Sequence, residues 1–347
     1  MKLYHFTLIV VLVLITGCGN NSSGPSPVSG IYGWAVGNTD GNTPTILHST
    51  DGIEWTPQAT DLVIPNSSLT SVSVVDSSTV WASGGFSEGF GIVLKTIDGG
   101  ETWLRMGSEI DLPNATLTVY ALSADVAWVG AASSVCYTTD GGISWTDMAQ
   151  SSLPDMNWQG TYCLSSSNIW ISGGNNDLGS IYHTSNGGAL WTAHAESLTA
   201  DWPILSVKAY DQNNVWAVGH GFFIAKSING GIDWELVTPD SLFGSGNDAN
   251  EITIMSPNDA WVALDYGNIW KTSDGGATWD IQTVPDGVQG YFMLGIYASD
   301  VNTAWSVGGS GFGAPSGVII GTTNGGTTWT RLDDGSLPIL WDIDFAD

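Results

Sequence analysis

Thr96-Ile97-Asp98-Gly99-Gly100-Glu101-Thr102-Trp103 is one of seven variants of a single phrase: Ser or Thr, any residue, Asp or Asn, one or two glycines, a short spacer, then Trp. The others open at Ser49, Thr138, Thr184, Ser227, Thr272 and Thr322 and close at Trp55, Trp145, Trp191, Trp234, Trp279 and Trp329. Successive closing tryptophans lie 48, 42, 46, 43, 45 and 50 residues apart. A period of about this length marks a repeat architecture, each unit burying its apolar face on its neighbours.

A second phrase runs in step with the first. Trp34, Trp81, Trp128, Trp170, Trp216, Trp261 and Trp305 each precede a small or β-branched pair, and most are followed by glycine, as in Trp216-Ala217-Val218-Gly219. Upstream of each lies a short apolar run such as Ile204-Leu205-Ser206-Val207. One unit therefore reads as four strands. Strand a is the apolar run, strand b carries the first Trp, strand c leads into the box, and strand d starts at the box Trp. Short runs rich in Val, Ile, Thr, Trp and Tyr between Gly/Asn/Asp turns are strand and hairpin signals. No sustained helical period appears.

Four strands in each of seven units predict an all-β fold, a seven-bladed β-propeller of antiparallel blades spanning 30–347. The first unit lacks a strand a, whereas Pro338-Ile339-Leu340-Trp341-Asp342-Ile343-Asp344-Phe345 is a surplus one. The last strand is expected to complete the first blade.

The box has a physical explanation. Its third residue (Asp51, Asp98, Asp140, Asn186, Asn229, Asp274 and Asn324) can accept backbone N–H bonds, as Asx turns do. Three of these seven are Asn. The position therefore needs an acceptor, not an acid. The glycines supply φ > 0, and the Trp fills the wedge between sheets.

These units resemble the Asp-box, or BNR, repeats of sialidase-like propellers. Strand-b Trp-Ala-Val-Gly followed by Thr-x-Asp-Gly-Gly-x-Thr-Trp is most similar to the photosystem II assembly/stability factor family and its bacterial lipoprotein relatives. The resemblance implies a seven-bladed propeller that binds a protein partner in or at a membrane complex, photosystem II itself where the source is photosynthetic. One departure is visible. That family presents a basic, Arg-rich patch, and the few bases here cannot build one.

The N-terminus reads as a processing segment. Lys2 and the apolar stretch Phe6 to Ile15 precede Ile15-Thr16-Gly17-Cys18, which matches a lipoprotein signal peptidase site. Residues 1–17 are then a signal peptide, Cys18 the acylated residue and 18–29 a polar tether. The only membrane attachment expected is this lipid anchor, at the cell envelope, in the outer membrane or periplasm of a two-membrane bacterium.

A net charge of −27, from 34 acids and 7 bases, argues against nucleic-acid binding and against docking on anionic lipid. Lys95, Lys226 and Lys271 share one repeat slot before the box with His48 and His183, so they read as scaffold. Cys136 and Cys163 fall on different strands of different units and read as small buried hydrophobes.

Sialidase chemistry needs three arginines, and only Arg105 and Arg331 are present. No His-based zinc motif, nucleophile elbow or phosphate loop appears. The d–a and b–c loops share one face of a propeller, and such loops commonly bind. Asp155, Trp158, Asp201, Trp202, Asp248, Glu251, Asp286, Tyr291 and Phe292 read as d–a loop residues. Aromatics beside carboxylates suit a peptide or a sugar, so a surface polysaccharide ligand or glycoside hydrolysis is the alternative function. Asp201 with Glu251 is the candidate acid/base pair. Asp40 and Asp177, in Asn/Asp-rich b–c loops, are candidate Ca²⁺ ligands. No other cofactor is expected.

Overall fold

The structure is a computed structural model that describes residues 30–39, 43–58, 64, 66–86, 91–107, 116–148, 153–175, 178–194, 202–239, 244, 246–310 and 316–346. Asp40, Asp177, Asp201 and Cys18 lie outside them. The strands of the described residues form seven antiparallel sheets of four. Blades are numbered here by their strand-b tryptophans, Trp34 in blade 1 to Trp305 in blade 7.

Closure follows the expected route. Strand Leu340–Ala346 pairs antiparallel with Tyr32–Thr39, in the register Trp34↔Asp344, Ala35↔Ile343 and Val36↔Asp342. The C-terminal segment thus supplies the innermost strand of blade 1. Phe345 anchors it, stacking on Tyr297 at 4.9 Å and lying 4.3 Å from Trp305. Both partners belong to blade 7, so one side chain spans the seam of the ring.

The core sits between blades. Every strand-b Trp is buried. Five of them meet the next blade's box Trp edge-on: Trp81–Trp145, Trp128–Trp191, Trp170–Trp234, Trp216–Trp279 and Trp261–Trp329, at 5.7 to 6.4 Å. This is a favoured aromatic geometry, adding about 0.5–1.5 kcal/mol per pair beyond burial. The slot before the box packs on the same ring. Lys95 and Lys271 ammonium groups lie 4.7 and 4.5 Å from the Trp81 and Trp261 rings, and His48, Tyr137 and His183 stack on Trp34, Trp128 and Trp170. Lys271 also donates to Val301 O at 2.7 Å, stitching blade 6 to blade 7.

Each inner strand carries a bulge at the same height. The register slips between Leu69 and Ser71, Thr116 and Thr118, Trp158 and Gly160, Ile204 and Ser206, Ala249 and Glu251, and Met293 and Gly295. In blade 1 the extra residue is Trp341. A bulge bends the strand and raises its twist. Here the seven extra residues all face the axial channel. The glycine three places after five of the seven strand-b tryptophans allows the close approach; blades 3 and 6 carry Ala131 and Leu264 there. A Cβ on Gly84 would lie 1.9 Å from Ser68 O, and one on Gly308 1.9 Å from Phe292 O.

Inner strands are edges, and their free N–H groups need acceptors. The neighbouring blade supplies them. Ser71 and Ser73 Oγ accept from Val119 and Ala121 N–H at 3.3 and 3.0 Å. Asp342 and Asp344 accept from Val72 and Val74 N–H at 2.9 and 2.8 Å.

Candidate functional site

The seven box turns are built alike. Thr96 Oγ1 donates to Asp98 Oδ1 at 2.7 Å and accepts from Gly100 N–H, while Thr102 N–H donates to the same Oδ1 at 2.9 Å. At Asn186 the corresponding donors are Thr184 Oγ1 and Leu190 N–H, at 2.8 and 3.0 Å. Asn229 and Asn324 repeat the pattern, as do Asp51, Asp140 and Asp274. Hydrogen bonds from Thr102 and Ser144 hold the Asp98 and Asp140 carboxyls down at about 2. These oxygens are committed to the turn.

The opposite end of the ring gathers the b–c hairpins and d–a loops, and in blades 3, 5 and 6 the hairpin is tied to the next blade's entry loop. Ser133 N–H donates to Met156 O at 2.8 Å, Phe222 N–H to Asn247 O at 2.7 Å and Gly267 N–H to Tyr291 O at 2.5 Å. Ser133, Phe222 and Tyr266 adopt left-handed backbone at φ of 69°, 60° and 61°. That conformation is costly for large side chains and marks over-determined loops.

Across blades 5 to 7 this end presents aromatic and charged groups together. Trp202 is 54 % exposed and Tyr266 51 %. Trp202 passes beside Gly221, next to His220. His220 Nδ1 lies 2.6 Å from Asp248 Oδ2, and Asp248 Oδ1 accepts from Gly221 N–H. Asp265 holds the pair from behind, accepting from Asp248 N–H at 3.1 Å and Asn250 Nδ2 at 3.0 Å. The hydrogen bond to Asp248 raises the His220 pKa, and burial raises that of Asp265. Tyr266 leans over Phe292, ring centres 6.1 Å apart, and Tyr291 OH reaches Ser316 Oγ at 3.2 Å.

Below this face opens the axial channel, a cavity of about 680 Å³. Lys208 Nζ and Ser206 Oγ each lie 2.9 Å from Glu251 Oε1. Burial disfavours the Lys208 ammonium, but Glu251, Asp342 and Asp344 outweigh it and raise its pKa. Burial pushes Asp344 up to about 7 against the Val74 hydrogen bond, and burial with the Glu251 charge raises Asp342.

The sequence-derived candidates thus scatter. Trp202, Asp248, Tyr291 and Phe292 share the loop face of blades 5–7, and Asp155 is exposed one blade boundary away. Trp158 is not a face residue: it is fully buried on an inner strand, edge-on to Tyr182. Glu251 is on an inner strand rather than in a loop, held by Lys208. Its partnership with Asp201 lies outside the described residues, as do Asp40 and Asp177. Among the described residues, no group of three or more His, Cys, Asp or Glu is placed to hold a metal ion. Cys136 and Cys163 are free, buried thiols, and burial pushes both pKa values up. His220, Asp265 and Tyr266 were not singled out from the sequence. They sit in b–c hairpins whose function shows only when the next blade's loop packs on them.

A closed seven-bladed ring of four-stranded antiparallel blades, with Trp202 and Tyr266 exposed on its loop face, defines the class as a β-propeller. Within that class, the family model described as photosynthesis system II assembly factor YCF48 matches residues 28–312, and the chain belongs to this family. Among solved structures, one described as YCF48 bound to D1 peptide superposes with a TM-score of 0.61 at 20% identity, covering 89% of this chain and 91% of that one. YCF48 from Cyanidioschyzon merolae gives 0.59 at 19%, covering 90% and 91%. A GH74 xyloglucanase from Xanthomonas campestris gives 0.63 at 15%, covering 89% of this chain but 53% of that one. At these identities the likenesses concern the fold. No curated protein sequence matches the chain.

Proposed function

We propose that this chain is a non-catalytic, lipid-anchored scaffold of the cell envelope that binds a protein partner in a membrane complex, as an assembly or stability factor. The observation that carries this is the loop face of blades 5–7. Trp202 and Tyr266 stand exposed beside a His220–Asp248 pair joined at 2.6 Å, with Asp248 also accepting from Gly221 N–H. Aromatic anchors beside such a polar pair suit binding. Glu251, the described member of the candidate acid/base pair, is held by Lys208 and Ser206, which favours a structural role. Family membership supports the reading, and so does a relative described as bound to D1 peptide. Photosystem II is the partner where the source is photosynthetic. The anchor is acylation of Cys18.

Cross-linking and pull-down from the native membrane tests this. One defined membrane complex is expected, lost with Trp202→Ala plus Tyr266→Ala and released when Cys18→Ser blocks acylation. A second reading, glycan binding or glycoside hydrolysis, is favoured by the exposed Trp202 and the likeness to GH74 folds. It requires retention on a polysaccharide resin, and turnover lost in Asp201→Asn or Glu251→Gln.

A further inference from the structure

The box-turn end of the ring carries an apolar arc that the fold does not need. Ile97, Ile143, Leu190, Ile228 and Ile232 are 60 to 81 % exposed, and all lie in the box turns of blades 2 to 5. The repeat itself is the control. In the turns of blades 6 and 7 the same slots hold Ser273, Ala277, Thr278, Thr323, Thr327 and Thr328. Turn geometry is identical in both groups, the acceptor oxygen taking the same donors in blade 4 as in blade 6. The aliphatic side chains therefore contribute nothing to the turn, and packing leaves them in water. Single exposed apolar residues are ordinary, but exposed aliphatics recurring at one end of four adjacent blades are not scattered singly, and such groupings mark contact surfaces.

Charge selects the partner. Asp98, Glu101, Asp140 and Asp233 are exposed within the same turns, with Asp76 and Asp125 in the adjoining a–b loops. The lysines of these blades do not balance them at the surface. Lys95 and Lys226 lie over the Trp81 and Trp216 rings and donate to Gly141 O and Gly275 O of the next blade. An aliphatic arc rimmed by carboxylates complements a segment with apolar side chains and Lys or Arg beside them. It disfavours an anionic lipid surface.

We infer that the box-turn end of blades 2–5 is a second docking surface, which takes a basic, amphipathic protein segment. This goes beyond the loop-face reading and does not depend on it, since the two lie at opposite ends of the strands.

The test titrates the full chain into a fluorescein-labelled amphipathic peptide of lysine and leucine and reads anisotropy. Ile143→Ser with Ile232→Ser is expected to weaken binding about tenfold or more, since two buried isoleucines would be lost from the contact. A lysine–serine peptide should bind the parent as weakly as the lysine–leucine peptide binds this variant. Trp202→Ala with Tyr266→Ala should leave the affinity unchanged, separating this surface from the loop face. Equal affinity of parent and Ile variant for the lysine–leucine peptide, with unchanged melting, overturns the proposal. So does binding of phosphatidylcholine vesicles that the Ile variant loses while peptide affinity stays unchanged, which would make the arc a lipid contact.

Discussion

At the scale of single residues, one acceptor oxygen organises each box turn, and Asn supplies it as well as Asp does. Asp140→Asn keeps that oxygen and should lower the melting temperature less than loss of the side chain does. Asp140→Ala removes the acceptor for Thr138 Oγ1 and Ser144 N–H and should lower it. The carboxyls of Asp98 and Asp140 titrate at about 2 in the fold, below the usual value near 4. Their stabilisation is therefore complete above about pH 4 and is lost as pH falls toward 2. Circular dichroism against pH should show it, with Asp98→Asn plus Asp140→Asn flattening the acid limb. This role was legible in the sequence, because Asn replaces Asp without any other change in the phrase. The glycine three places after the strand-b Trp was visible too, but its meaning was not. Only the bulged neighbour shows why Gly84 has no room for a side chain. Gly84→Ala should cost about 1–3 kcal/mol by forcing Ser68 away, measured by urea unfolding.

At the scale of the strand, the inner bulge explains where the sequence reading of the site failed. The extra residue is Thr70, Leu117, Gln159, Leu205, Asn250, Leu294 or Trp341, so composition gives no mark of it. It nevertheless shifts which residues face the channel. Glu251, read as a loop acid, becomes a strand residue facing Lys208 one repeat away. Trp158, read as a face aromatic, becomes core. The closing strand adds a titration of opposite sign to that of the boxes. Asp344 holds its proton to about 7 in the fold, whereas an unfolded carboxyl has released it near 4. Stability from this group is therefore present at mild acid and declines as pH rises through about 7. Asp344→Asn should be more stable than the parent at pH 8, and the difference should shrink as pH falls and vanish toward pH 4, in paired thermal melts.

At the scale of the whole molecule, the ring stands on its seam. The repeat count, the strand order and the closing strand could all be read from the sequence, because the surplus at one end matches the deficit at the other. Phe345 is buried against Trp305 and Tyr297 of the last blade and Trp55 of the first. Phe345→Ala should cost about 3–5 kcal/mol, seen as a lower urea midpoint. Removing residues 338–347 should abolish the single cooperative transition. The seam also fixes the timing of biogenesis. A ribosome must emit more than three hundred residues before the sheet begun at Tyr32 receives its fourth strand at Leu340–Ala346. Until then Tyr32–Thr39 is a bare edge able to pair with any passing strand. A chain cut just short of Leu340 would be an unclosed product that keeps this edge open and is expected to aggregate.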